Sequence, residues 1–258
     1  MNRLLGILMV FGLTSVQAED KAAQLEFGYA EACPHMCPYN EQKGFTTDIA
    51  RTIFEKRGYR VTFVALPWAR AAYQAMQGEL DGVLSAGKLE TPGMIFPELE
   101  IAEQSDCFYG KDSDPWQAGD ASSFLNRTTI IFNGWVNERR YRKALGDEVY
   151  QQTFEEFSID SRYYERVLEM VRRGRAHAFW MDSTVFGYLQ KHNPELDSRG
   201  IKNLGCVGHQ YLYLALTPQT QVRSEKLAVE FSEGMQALRD SGELANILQT
   251  YGLKDWRH

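Results

Sequence analysis

The amino-acid sequence predicts an α/β fold built from parallel strands and helices, and two observations support this prediction. Residues 44–85 show the pattern of a helix, a strand, a second helix and a second strand, and the same kind of unit begins again with strand-like residues 128–132. Two strands joined by a helix form a parallel unit with a right-handed crossover. Because ligands on such sheets gather beyond the carboxyl ends of the strands, the sequence also predicts a cleft.

The first parallel unit has clear boundaries. Its first helix is expected to begin at Thr46 or Thr47, whose hydroxyl groups can cap free backbone N–H groups, and to end at Gly58. An alternating strand follows, and Pro67 then sets the backbone angle for the start of the second helix. That helix is expected to end near Gly78, and a short apolar strand comes next.

The second unit repeats this layout. A helix is predicted over residues 161–173 and a buried strand over residues 176–181, which places Asp182 at the carboxyl end of that strand. Residues 77–85 and 173–182 share the same succession of a helix end, a glycine and a short strand. We interpret these two passages as equivalent parts of two similar lobes.

The N-terminus has the pattern of a secretory signal. Arg3 precedes a short apolar run over residues 4–11, and Val16-Gln17-Ala18 fits the small-residue rule for cleavage. The apolar run is too short to span a bilayer, which needs about 20 residues. The sequence therefore predicts a signal peptide over residues 1–18 and a mature chain that is free in the periplasm. No cysteine follows the cut, which argues against a lipid anchor.

Composition and charge narrow the class of partner. The chain has 258 residues, of which 44% are hydrophobic, and this is enough for a proper core. Its formal net charge is -6, and loss of Arg3 with the signal makes it more negative. An acidic surface is unsuited to general binding of nucleic acid or anionic lipid. We therefore expect a small-molecule partner and no nucleic acid. No other apolar stretch is long enough to span a bilayer, so no membrane insertion of the mature protein is expected, and the chain is expected to be a monomer.

Because the periplasm is an oxidising compartment, the four cysteines are expected to form disulfides. Cys33 and Cys37 form the natural local pair, and Cys107 and Cys206 are then left for each other, which predicts that their two segments lie side by side. Residues 33–37 also contain a histidine and a methionine, so this segment can be read as a soft-metal site. Its spacing is unlike standard zinc patterns, and we predict a disulfide loop there and no metal.

These features together resemble the periplasmic solute-binding proteins of family 3, the group that includes the polar amino-acid receptors of ABC importers. The resemblance covers nearly all of the mature chain. Its clearest segments are Gly44-Phe45-Thr46-Thr47-Asp48-Ile49-Ala50, Pro67-Trp68 leading to Gly78-Glu79-Leu80-Asp81-Gly82, and Arg239-Asp240-Ser241-Gly242-Glu243-Leu244.

The resemblance implies a two-lobe periplasmic-binding-protein-like fold of type II, in which each lobe is a mainly parallel sheet flanked by helices. Two crossing strands join the lobes, and the ligand cleft lies between them. Lobe 1 is expected to comprise residues 24–109 and 215–258, and lobe 2 residues 110–214. Cys107 would lie near the first crossing strand and Cys206 just before the second, which makes their pairing plausible.

The resemblance also implies a set of ligand-binding residues. Trp68 matches the position of an aromatic side chain that stacks on ligand, and Tyr39 follows a similar pattern after the first strand. Asp182 matches the carboxylate that takes the ammonium group of an amino acid, and Ser85 matches a residue that lines the cleft. Two alternatives remain open: Trp68 packs in the core, and Asp182 caps the helix that starts at Ser183.

The chain departs from the family pattern at two places. Amino-acid receptors carry an arginine that holds the ligand carboxylate, but residues 91–94 here contain none. The usual small polar loop of the second lobe contains Trp135 instead, which favours a flatter or more hydrophobic ligand. Lys88 and Arg70 are candidate replacement cations, and the alternative for both is a solvated surface charge.

The expected function is non-enzymatic binding of a small polar or zwitterionic solute, without a cofactor. The solute would be amino-acid-like or an aromatic or organic acid, and it would pass to an ABC permease of the inner membrane or to a sensor. One alternative is a periplasmic enzyme similar to the cyclohexadienyl dehydratases, with Asp182 and Glu90 as the candidate acids. The other is a sensory binding protein without a transporter.

Overall fold

A computed structural model of the protein describes residues 23–133, 135, 137–158, 162–193, 195 and 197–257. The predicted signal peptide, the predicted helix start at Ser161, and Gly134 and Val136 lie outside these residues. The strands are β1 (Gln24–Tyr29), β2 (Arg60–Ala65), β3 (Gly82–Ala86), β4 (Ala102–Lys111), β5 (Thr129–Phe132), β6 (Phe154–Phe157), β7 (Ala178–Asp182) and β8 (Ile201–Leu216). The helices are α1 (Phe45–Glu55), α2 (Trp68–Gln77), α3 (Glu138–Leu145), α4 (Asp147–Thr153), α5 (Tyr163–Arg172), α6 (Ser183–His192), α7 (Gln221–Asp240) and α8 (Glu243–Thr250).

The strands form one sheet in the order β2-β1-β3-β8-β4-β7-β5-β6. β1 is parallel to β2 and β3, and β5 is parallel to β6 and β7. The long strands β4 and β8 run antiparallel to each other between these two groups. This arrangement confirms the predicted α/β fold with two parallel units. We call the part around β1, β2 and β3 lobe 1, and the part around β5, β6 and β7 lobe 2.

Each lobe has its own apolar core. In lobe 1, the faces of α1 and α7 pack over β1 with Phe27, Phe54 and Phe231 at the centre. In lobe 2, aromatic rings dominate one side of the sheet, including Phe108 and Phe124 with centroids 4.8 Å apart. Separate cores on either side of the crossing strands allow two lobes to behave as units. The residue boundaries predicted for the lobes stay a prediction.

The start of α1 differs from the prediction that a threonine caps it. The helix begins at Phe45 after Gly44, and no side chain caps it. Thr46 Oγ1 donates instead to the backbone oxygen of His35 at 2.8 Å, and Thr47 Oγ1 donates to that of Lys43 at 3.0 Å. The prediction was wrong because carbonyl groups of the preceding loop, which the helix pattern does not reveal, accept both hydroxyls.

The other predicted boundaries agree closely with the structure. α2 follows Pro67 and ends at the left-handed Gly78, and Asp182 is the last residue of β7. Residues 211–216 have a strand-like sequence, which predicts only the last part of β8; the strand is longer because its first ten residues pair with β4. Among the described residues, no helix is long and apolar enough to cross a membrane.

Both predicted disulfides are present. Cys107 on β4 is bonded to Cys206 on β8, and the two residues are partners in the strand register. Cys33 is bonded to Cys37 in the loop after β1. The segment that could be read as a metal site is therefore a disulfide loop. The described residues contain no group of three or more His, Cys, Asp or Glu arranged to hold a metal ion.

Candidate functional site

The disulfide loop after β1 forms the lobe 1 wall of the candidate site. His35 lies in this loop and is 3% exposed. Its backbone oxygen accepts the hydrogen bond from Thr46, and the hydroxyl of Ser85 donates to Thr46 Oγ1 at 3.2 Å. Ser85 has a φ of 57°, which is uncommon for a residue other than glycine, and such strain concentrates at ligand sites. The chain thus brings two of its hydroxyl groups beneath the His35 loop.

Asp182 faces this loop from lobe 2 and is 2% exposed. Its Oδ1 atom accepts from the backbone N–H of Val185 at 3.0 Å, and its Oδ2 atom accepts from that of Ser105 at 2.7 Å. Asp182 is therefore the N-cap of α6, as one alternative held. Oδ1 also lies 3.4 Å from Nε2 of His35, so residues of the two lobes meet here. The ligand role of Asp182 stays a prediction.

A second carboxylate, Asp106, lies directly opposite Asp182 in the pairing of β4 with β7. Opposed residues of antiparallel strands place their side chains on the same face, with Cβ atoms about 5 Å apart. Asp106 accepts hydrogen bonds from the indole N–H groups of Trp135 and Trp180 and from the amide of Asn137. Burial raises the pKa of Asp106, these three hydrogen bonds oppose the rise, and the charge of Asp182 adds to it.

A third carboxylate comes from lobe 1. Glu90 accepts from Nε2 of Gln210 at 2.9 Å and from the backbone N–H of Gly87 at 3.3 Å. The same Gln210 amide donates to Gln104 at 2.7 Å, so Glu90 reaches both crossing strands. Burial raises the pKa of Glu90, the hydrogen bonds from Gln210 and Gly87 oppose the rise, and the charge of Asp106 adds to it.

Sequence reasoning missed Asp106 and gave Glu90 and His35 only secondary roles. The signal for Asp106 was present: a carboxylate stands within a strand beside a predicted disulfide cysteine. A charge at such a position is expensive unless it is paired or functional. Asp106 belongs to the site because Asp182 lies opposite it in the strand pair, and Asp182 is distant in the sequence.

The two predicted tryptophans of the site, Trp135 and Trp68, pack against apolar clusters. The ring of Trp135 is 2% exposed and packs against Phe108 and Tyr141, so only its N–H group reaches Asp106. Trp68 is half-buried and packs on the small apolar cluster between α2 and β3. The roles of both residues as ligand contacts stay predictions.

Three further predicted residues are on the surface. Tyr39 is 75% exposed, and Arg70 is exposed on α2. Lys88 is exposed, and its ammonium group lies 4.1 Å from the centroid of the Tyr213 ring. The structure thus brings Ser85 and Asp182 to the His35 contact and leaves these three outside it.

Gly44 fixes the position of the His35 loop. Its φ is 104°, and an added Cβ would lie 2.3 Å from the backbone oxygen of His35. We expect Gly44→Ala to lower the free energy of unfolding by about 3 kcal/mol, because neither backbone segment can move without breaking contacts. Urea unfolding measures this. The control is Gly58→Ala, which has a φ of 82° but open space around the added Cβ, and it should cost about 1 kcal/mol. Equal losses would refute the role given to Gly44.

Comparisons with known proteins show where this fold occurs. No family model matches the chain, and no curated protein matches it. Among solved structures, a mutant of ArgBP from T. maritima has a TM-score of 0.69 at 14% identity, covering 89% of this chain and 95% of that one. A substrate-binding protein of an ABC uptake transporter from Streptococcus pneumoniae, with bound histidine, has a TM-score of 0.70 at 14% identity, covering 89% and 92%.

A histidine kinase sensor domain with similarity to periplasmic binding proteins is also similar, with a TM-score of 0.72 at 17% identity over 92% of this chain and 100% of that domain. These similarities confirm the predicted resemblance at the level of the fold. The protein has the two-lobe α/β fold of the periplasmic solute-binding proteins.

Proposed function

We propose that the protein binds a small polar or zwitterionic solute between its two lobes and presents it to a partner in the membrane. The observation that supports this most is the contact between His35 and Asp182, two nearly fully buried polar residues from opposite lobes. Asn40 and Tyr188 make a second polar contact between the lobes at 3.4 Å. A ligand that touches both walls would favour this closed arrangement over an open one.

The proposed location is the periplasm, after cleavage of the N-terminal segment, and the proposed partner is an ABC permease or a sensor protein. The S. pneumoniae relative belongs to an ABC uptake transporter and the sensor domain belongs to a histidine kinase, so both kinds of partner occur with this fold. Pull-down of membrane proteins with the mature chain, with and without ligand, distinguishes the two.

Ligand binding is tested on purified protein. We expect a thermal shift or a fluorescence change with at least one member of a panel of amino acids, amines, organic acids and aromatic acids. Mass spectrometry of material released from natively purified protein identifies what the site carries. A panel without any response would refute the proposed function.

Asp182→Asn tests the position of the site. Asparagine is as good an N-cap as aspartate, so its amide oxygen can keep the bond from Val185 while the charge is lost. Its NH2 group cannot accept from the N–H of Ser105, so the melting temperature of the variant is measured beside its affinity. We expect affinity for the panel's best ligand to fall about tenfold or more, because a charge-assisted hydrogen bond becomes a neutral one. The matched control is Asp120→Asn, since Asp120 is an exposed N-cap that accepts from Ser123. Equal affinity in both variants would contradict the proposed site.

We propose a binding role without turnover, in line with the three structural relatives named above. Glu90 is the group that favours the enzymatic alternative, because a half-buried carboxyl with a raised pKa suits a general acid. Bound ligand recovered unchanged after long incubation supports the binding role. Product that no longer forms in a Glu90→Gln variant would establish an enzyme.

A further inference from the structure

The three carboxylates of the site belong to one continuous group. Asp106 and Asp182 share a face of the β4–β7 pair. Gln104 is two residues before Asp106 on β4, and residues two apart in a strand point to the same face. Because Glu90 is bound through Gln210 to Gln104, its carboxylate lies next along that face. The group therefore spans lobe 1, the crossing strands and lobe 2.

Neutral groups satisfy these carboxylates. Asp106 accepts from two indoles and an amide, Glu90 from an amide and a backbone N–H, and Asp182 from two backbone N–H groups. Within the described part of the chain, no lysine or arginine forms an ion pair with any of the three, and the one titratable partner is His35 at Asp182. The negative charge of the group is left largely uncompensated.

This chain pairs a buried carboxylate with arginine where the role is structural. Glu100 is fully buried in lobe 1 and contacts the guanidinium groups of Arg239 and Arg257. Burial raises the pKa of Glu100, but hydrogen bonds from Arg257 and Trp256 outweigh it and lower the pKa. Glu90 and Asp106 have no arginine partner among the described residues, and their pKa values are raised instead. This difference indicates that a cation from outside the chain pairs with them.

The site also has hydrogen-bond acceptor positions that the described residues do not use. An ionised carboxylate has about four acceptor positions, and Glu90 uses two of them. Independently, the Nδ1 atom of His35 is buried and has no hydrogen-bond partner among the described residues. Buried polar atoms are nearly always satisfied, so the unpartnered Nδ1 atom, on the ring whose Nε2 atom contacts Asp182, points to a hydrogen bond with a ligand or water.

We infer that the solute is an organic cation, an amine or a guanidine, that the Glu90, Asp106 and Asp182 carboxylates hold, and that recognition requires no carboxylate on the solute. This inference rests on the proposed function, because it takes the inter-lobe contact as the binding site. An organic cation fits better than a metal ion, because the described residues contain no group of three or more His, Cys, Asp or Glu arranged to hold a metal ion. The absence of arginine from residues 91–94 agrees with a ligand that lacks a carboxylate.

Two matched pairs of probes test the charge preference. Agmatine differs from arginine by the loss of the carboxylate, and putrescine is the diamine counterpart of succinate. Calorimetric titration of the wild-type protein should show that agmatine binds at least as tightly as arginine and that putrescine binds while succinate does not. Binding of succinate, or tighter binding of arginine than of agmatine, would overturn the inference and leave the proposed function standing. Failure of these probes and of the whole panel would overturn both.

Substitutions test the carboxylates themselves. We expect Asp106→Asn and Glu90→Gln each to weaken binding of the better amine probe about tenfold or more. The amide of Asn137 can turn its oxygen toward the amide that Asp106→Asn introduces, so the fold should tolerate this change, and relief of like charge should leave the ligand-free melting temperature unchanged or higher. Asp112→Asn, at an exposed position just beyond β4, removes the same charge and should change affinity less than about twofold. A lower melting temperature with unchanged affinity would show that the carboxylates are only structural.

Discussion

Replacing Cys107 and Cys206 together by alanine is expected to lower the free energy of unfolding by about 4 kcal/mol. The disulfide closes a loop between residues 99 positions apart. Opening so long a loop increases the entropy of the unfolded chain, and the loss of stability on this entropic account is about 4.7 kcal/mol for 100 residues. Urea unfolding of the oxidised proteins, followed by tryptophan fluorescence and extrapolated linearly to water, gives the difference.

The Cys33–Cys37 disulfide provides the control. Its cysteines are only 4 positions apart, so the same entropy argument gives about 2 kcal/mol when both are replaced by alanine. Because this bond holds the His35 loop, we expect the Cys33/Cys37 variant to bind ligand more weakly, although its free energy of unfolding falls less than that of the Cys107/Cys206 variant. If the two double variants lose equal stability, loop length does not govern the effect and the explanation is wrong.

Glu100→Gln is expected to lower the free energy of unfolding by about 3 kcal/mol. The carboxylate accepts from Nε1 of Trp256 at 2.8 Å and from Arg239 at 3.3 Å, and it also contacts Arg257. Glutamine removes the charge and leaves the largely buried guanidinium of Arg239 with Asp255 as its remaining ionic partner among the described residues. Breaking a buried ion pair from one side leaves an uncompensated charge, which is strongly destabilising.

The pH dependence of stability distinguishes this cause from a loss of packing. The pKa of Glu100 is lowered in the folded protein, so its contribution is present above the ordinary glutamate pKa of about 4.3 and is lost as the pH falls through the lowered value. The difference between wild type and variant should therefore shrink on acidification. Glu103→Gln is the control, because Glu103 on β4 is half-buried and has no ion pair among the described residues. A difference that persists unchanged at acid pH would contradict the electrostatic explanation.

Much of the fold follows from local sequence patterns. Pro67 and Gly78 mark the ends of α2, and the glycine before the strand that ends at Asp182 marks the matching boundary in lobe 2. These residues act through their own backbone preferences, which do not depend on distant parts of the chain. Local patterns were poorer predictors of helix and strand boundaries where groups from other parts of the chain form the deciding hydrogen bonds. The hydroxyls of Thr46 and Thr47 donate to the preceding loop, and the first half of β8 is a strand because β4 pairs with it.

The candidate site was only partly predictable. Asp182 could be placed at the end of a strand, and its N-cap role followed from the serine after it. The sequence shows Asp106 as a carboxylate beside a predicted disulfide cysteine, but its place in the site comes from the register that sets it opposite Asp182. The ligand-binding role expected of Trp135 stays a prediction, and the structure adds that its ring packs in the core and its N–H group donates to Asp106.

The sequence by itself determined the order of helices and strands, the family resemblance and the pairing expected of the cysteines, because each depends on residue type and spacing along the chain. Only the tertiary structure decided which charges meet. Strand register and the packing of the two lobes bring Glu90, Asp106, Asp182 and His35 together from separate segments, and they leave Arg70 and Lys88 on the surface. Electrostatic interactions depend on distance in space and on burial, and neither can be read from positions along the chain.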